Sequence, residues 1–207
     1  MILLNLSVDR WVPNREKTVQ WQQALSDWYW IQGYEAWIKK DKQRLLDDYS
    51  IATALYPSNL TYWRLAAQTI AFDLPTWERT EESEQGAKIR ERYANEALSF
   101  FERSRPYFTE DPDWFLTGGF LAETAAGDRS LAIDYLAGAA AQPEFSYQVG
   151  RRYTRLLVEN GDLKDAHAFL VSWLADLNQS ASEAHQSEIQ AWILSLENQL
   201  NLLTPTN

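Results

Sequence analysis

Apolar residues along the chain recur at intervals of three and four rather than two, the spacing of one face of an α-helix. No Asn-Gly hairpin signal stands between alternating segments, so no strand pairing is predicted. The pattern predicts an all-α chain. A first long helix is expected over about 15–40, following Pro13-Asn14, with Asn14 as its cap. A second, over about 43–55, stops before Pro57, whose ring cannot continue a helix. A third covers about 59–72. The stretch "DLPTWERTEESEQGAK" (73–88) then interrupts the pattern with Pro75, Gly86 and four glutamates. It reads as a solvated loop or as the acidic first turn of a long helix reaching Phe101, with an acidic binding arm as the alternative. After "FTEDPD", helices are expected at about 113–125, 129–141, 145–159 and 163–177. A last one, about 182–203, places Ile189, Trp192, Ile193, Leu196, Leu200 and Leu203 on one stripe and suits the capping of a helical array.

Two of these stretches repeat each other. "AGDRSLAIDYL" (126–136) is followed 34 residues later by "NGDLKDAHAFL", with Gly127, Asp128, Ala132 and Leu136 returning as Gly161, Asp162, Ala166 and Leu170. Two antiparallel helices of ~12 residues with their turns need about 34 residues, and such a pair buries its apolar faces only by stacking on another. The glycine can end one helix in a left-handed conformation, and the aspartate can cap the next. The alanine sits where two helices approach closely, and the leucine fills the space beside it.

On these residues the chain resembles the tetratricopeptide repeat family. Gly127, Asp128, Ala132, Leu136, Ala139 and Pro143 match its motif, the proline arriving one residue early, as do Gly161, Asp162, Ala166 and Leu170, with Trp173 replacing a small residue. An earlier copy is read at Tyr29, Gly33, Tyr49, Ala52 and Pro57, with Lys40-Asp41 in place of Gly-Asp. Another begins at Trp63 and Ala67 and resumes at Ala97, Phe101 and Ser104. Leu45 and Ala97 stand 52 residues apart, so an insert of about 18 restores the interval. The resemblance covers about 26–177 in four degenerate copies, and a divergent array of helical hairpins outside the family is the alternative. It implies a right-handed superhelical array of antiparallel helix pairs over 14–181, with an insertion at about 73–90. An N-terminal extension (1–13) precedes it and a capping helix (182–203) follows.

Composition narrows the function. Hydrophobic residues at 45% and charged residues at 23% suit a soluble globular chain. A net charge of −10 repels a phosphate backbone, so no nucleic-acid partner is expected. The absence of cysteine excludes disulfides, thiol nucleophiles and zinc sites built on Cys. Six of the ten tryptophans lie in the first 63 residues, and burial is expected for most. The start, "MILLNLSVDRWVPN", falls short of a membrane span. Taken as it stands it predicts an untargeted, cytoplasmic chain. Taken as the stub of a removed signal or anchor, residues 1–6 would put the domain in the periplasm or on a membrane.

No catalytic pattern emerges. His167 and His185 belong to no metal-ligand spacing and read as surface or packing residues. Gly118-Gly119 lacks the Lys-Ser/Thr of a phosphate loop and reads as a close helix approach. The expectation is a non-enzymatic chain with no cofactor, metal or small-molecule substrate. The resemblance instead implies a concave groove, lined by the first helix of each pair, that holds a peptide or helix of a partner protein. Carried over residue by residue, its groove positions are Trp30, Tyr34 and Trp37, then Arg64 and Gln68, then Arg151 and Arg155. Tyr29, Gly33 and Ala36 would pack on the second helix. A groove with an aromatic end and a basic end would suit apolar anchors and carboxylates. Two alternatives stay open: the aromatic trio packs against residues 1–20, and the arginines pair with neighbouring glutamates. The Asn and Lys of a carboxylate clamp are not present, so a chaperone C-terminus is not expected. The other functional expectation is a structural subunit that assembles with itself or in a larger complex, with the cell envelope as one setting.

Overall fold

A computed structural model describes residues 15–78, 84–143, 145–177 and 183–203, and within them there is no strand. The elements are α1 (Arg15–Lys39), α2 (Lys42–Leu55), α3 (Leu60–Gln68), α4 (Leu74–Trp77) and α5 (Glu84–Glu102). They continue as α6 (Pro112–Phe120), α7 (Arg129–Ala140), α8 (Tyr147–Asn160), α9 (Leu163–Leu177) and α10 (Glu183–Leu203). π-Helical turns, Thr69–Asp73 and Leu121–Ala126, prolong α3 and α6. The all-α expectation holds. The N-terminal extension (1–13) and the Asn14 cap lie outside the described residues.

One turn recurs. Lys40, Gly127 and Gly161 end helices at positive φ (56°, 67° and 90°), and an aspartate follows each. The aspartate N–H then reaches back 2.9 Å to a carbonyl of the preceding helix: Asp41 to Ala36, Asp128 to Ala122, Asp162 to Leu157. The side chains of Asp41 and Asp128 accept from the backbone N–H of Arg44 (3.2 Å) and Leu131 (2.9 Å), capping α2 and α7. A two-residue turn of this kind sends the chain back along the helix it has just left. α1 accordingly packs on α2, α6 on α7 and α8 on α9, while each second helix also touches the element that follows its pair.

Of the readings of 73–88, the long helix with an acidic first turn that reaches Phe101 is present as α5, which opens on Glu84. Leu74–Trp77 is helical as well, so the stretch is not one solvated loop, and residues 79–83 lie outside the described residues. Most of the expected insertion therefore lengthens helices. Pro75 stands in the first turn of α4, the position where a helix best tolerates proline. Glu78, just past α4, is gripped by Arg92 at 2.8 Å, by the Tyr93 hydroxyl, and by Lys42 at 3.7 Å.

Close packing within the pairs depends on glycines. A Cβ on Gly33 would stand 2.5 Å from the Tyr49 ring, one on Gly118 2.3 Å from Tyr135, and one on Gly150 2.6 Å from Trp173. The close approach expected of Gly118-Gly119 is therefore present. Buried side chains form two clusters. The larger gathers Leu45, Trp63, Phe101, Trp114 and Leu136, and the smaller joins Leu157, Leu170 and Trp173 to Ile189 and Leu196 of α10. Trp114 stacks on Phe101 with centroids 5.3 Å apart, and its Nε1 donates to Ser104 Oγ at 2.7 Å.

Candidate partner-binding cleft

The helical register of α8 decides what that helix can offer. Val149, Leu156 and Leu157 go into the core, which turns Gln148, Arg151, Arg152 and Arg155 outward along the opposite side. α10 lies alongside, anchored by a bond of 2.6 Å from the Tyr147 hydroxyl to Glu188 and by His185 stacked on Tyr147 at 3.9 Å. An open cleft of about 770 Å³ runs between them. Arg151, Arg152 and Arg155 line one wall; Val158, Trp192 and Leu196 supply apolar surface, and Ser195 and Gln199 add polar groups.

Glu123, from the π-helical turn after α6, governs the charge of this wall. Its Oε2 accepts from Arg152 at 2.6 Å and its Oε1 from Arg155 at 2.5 Å. Burial pushes the Glu123 carboxyl upward, but the hydrogen bonds and charges of Arg152 and Arg155 outweigh it and hold the pKa below the ordinary carboxylate value. Arg155 also approaches Glu159 at 3.9 Å. Among the described residues Arg151 has no acidic side chain within ion-pair distance, so it is the cation left to meet an incoming anion. Its charge is felt at Tyr147, whose hydroxyl is pushed up to about 12, first by burial and then by the bond and charge of Glu188, against the opposing pull of Arg151.

The expected groove residues fall into different settings. Arg151 and Arg155 line the cleft together. Arg64 and Gln68 are half-buried on α3 and do not line it. Trp30 is sandwiched between Tyr49 and Tyr62, both at 4.3 Å and nearly parallel. Trp37 donates its Nε1 to Asp73 at 2.8 Å. Tyr34 is the open member of the trio, stacked at 5.8 Å on Trp37. The described packing of Trp30 is thus against α2 and α3. His167 lies 3.2 Å from Glu197, which ties α9 to α10.

Glu123, Arg152, Trp192 and Leu196 were not among the expected groove residues. Arg152 is the neighbour of Arg151 on the same helix face, a signal the register contains. Glu123 comes from another pair, and Trp192 and Leu196 had been assigned only to a capping stripe. A second cleft, of about 750 Å³, is lined by Pro143, Phe145, Trp173 and Asp176 on the α7–α9 side. Among the described residues no cluster of His, Cys, Asp and Glu is placed to hold a metal ion, and no helix is long and apolar enough to cross a membrane. No family model and no curated protein matches the chain.

Proposed function

We propose that the chain is a non-enzymatic adaptor of tetratricopeptide-like helix pairs, stacked as a right-handed superhelix with α10 as its cap. It holds a peptide or helix of another protein along the surface made by the first helix of each pair. The recurrence of the positive-φ and aspartate turn after α1, the α6 turn and α8 supports the repeat reading. The observation that carries the binding reading is the α8–α10 cleft, where Arg151, without an acidic partner among the described residues, stands beside two arginines held by Glu123 and over Trp192 and Leu196. Such a surface complements an acidic group placed next to an apolar anchor. Arginine and tryptophan are also the residues whose truncation costs most at interfaces.

The test is selection of displayed random peptides on the wild-type chain, followed by affinity measurement on purified hits. Enriched peptides should combine Asp or Glu with Leu, Phe or Trp, and Arg151→Glu should weaken them roughly 30-fold, the equivalent of ~2 kcal/mol. Enrichment of peptides that bind Arg151→Glu and Trp192→Ala equally well would remove the cleft from the reading. Failure to enrich any sequence would count against the adaptor itself.

A further inference from the structure

Among the described residues, the α1 helix is packed on one side only. Tyr29, Trp30, Gly33, Ala36 and Trp37 lie toward α2 and α3, whereas Trp21 (71% exposed), Ile38 (60%), Ile31 (55%), Trp28 (51%) and Leu25 (47%) lie open to solvent. None of these five is among the groove residues assigned to α1 (Trp30, Tyr34 and Trp37), and the cleft is built by α8 and α10. Four of the five, all but Leu25, fall on one stripe. Positions 21, 24, 28, 31, 35 and 38 follow the alternating three- and four-residue steps of a coiled-coil seam. Four of the six are Trp or Ile, the fifth is Ala24, and the sixth, Glu35, is already approached by Lys39 at 3.9 Å.

The seam is also palindromic. Turned end for end about the midpoint between Tyr29 and Trp30, position 21 falls on 38, 24 on 35 and 28 on 31. Each large aromatic meets a β-branched aliphatic residue, and Glu35, the one charged residue, meets the smallest side chain. A two-fold interface requires this self-complementarity, because residue i of one copy must suit residue j of the other and the reverse. A lipid surface or an unrelated protein has no use for it. With large aromatics offering up to about 250 Å² each, the exposed parts of the two Trp and two Ile amount to roughly 500 Å² per copy, so two copies reach the ~1,000 Å² that a specific interface needs.

We propose that the outer face of α1 is a homodimer interface at which two copies of the chain pack antiparallel. Trp21 sits against the second copy's Ile38, Trp28 against its Ile31, and Ala24 against its Glu35. The dimer leaves the α8–α10 cleft of each copy unused by the contact, so one assembly carries two cleft sites.

Sedimentation equilibrium over a concentration series from ~1 to ~200 μM tests it. The wild type should sediment at twice the 24.0 kDa chain mass at the upper concentrations. Trp28→Lys and Ile31→Glu should each weaken association at least ~100-fold while melting like the wild type, because both side chains are already exposed. Mixing the two variants is the decisive step. In the antiparallel register the introduced lysine faces the introduced glutamate and the remaining Ile31 faces the remaining Trp28, so the 1:1 mixture should regain the doubled mass. In a parallel register no such match forms. A mixture that stays monomeric, or single variants that dimerise like the wild type, would overturn the proposal. So would a wild type that stays monomeric throughout, whether or not it co-sediments with phosphatidylcholine vesicles. Arg151→Glu should leave the dimer intact, which keeps failure of this inference separate from failure of the adaptor reading.

Discussion

Single residues test which positions pack and which remain open. Trp30 and Tyr34 are four positions apart on α1, yet Trp30 is stacked on both faces and Tyr34 is exposed. Trp30→Ala empties the space between Tyr49 and Tyr62 and should cost about 3 kcal/mol in urea unfolding, whereas Tyr34→Ala should stay within about 0.5 kcal/mol. Equal costs would mean that the sandwich contributes little. Lys40 is a different case, since it holds a left-handed φ of 56° where the two equivalent turns use glycine. Relief of that strain predicts that Lys40→Gly stabilises the chain by about 1 kcal/mol and raises Tm by roughly 2–4 °C in a scanning-calorimetry trace. The Lys-Asp pair was legible as a Gly-Asp equivalent because the aspartate cap and the spacing remained when the glycine did not. The positive φ itself is a backbone property, fixed by the Asp41 N–H reaching Ala36, and no side-chain pattern announces it.

At the scale of elements, acidic side chains tie neighbouring helices together. Glu123 joins the turn after α6 to α8, and Glu102 at the end of α5 joins Tyr135 of α7. Burial alone would raise both carboxyls. The arginine bonds, together with the Tyr135 hydroxyl at Glu102, prevail and lower them. A carboxyl whose folded pKa lies below its unfolded value stabilises the fold above that unfolded value, and the contribution is lost as pH falls through the folded pKa. Melting temperature should therefore hold from pH 7 to about 4.5 and drop below it, and Glu123→Gln should flatten that drop while costing on the order of 1 kcal/mol at pH 7. A variant with an unchanged acid limb would show that the ion pairs contribute nothing to folding. The helices themselves were legible because their turns and apolar spacing are local. The π-helical turns Thr69–Asp73 and Leu121–Ala126 were not, since no residue type marks an extra residue in a helix. With them went the position of Glu123, and hence half of the cleft's electrostatics.

For the whole molecule, the separation into two buried clusters matters most. The larger runs from α1 to α8, and the smaller unites α8, α9 and α10, with Ile133 and Tyr153 packed against both. In a chain whose elements touch mainly their neighbours, stability is close to a sum of local terms, and the end with the smaller core should open first. Amide exchange should be faster across 147–203 than across 45–136, and removal of residues 183–207 should lower protection of α8 and α9 far more than that of α5 to α7. Uniform exchange over both spans would show that the two clusters open as one. The cleft lies in the weaker unit, between α8 and α10, so its occupant should hold together the part of the molecule most prone to open. A peptide at 100 times its Kd adds about 2.7 kcal/mol to any opening that destroys its site. Slowed exchange confined to α8–α10 on addition of a selected acidic peptide would locate binding there, and protection appearing instead on α1 or α3 would move the partner surface to the aromatic end.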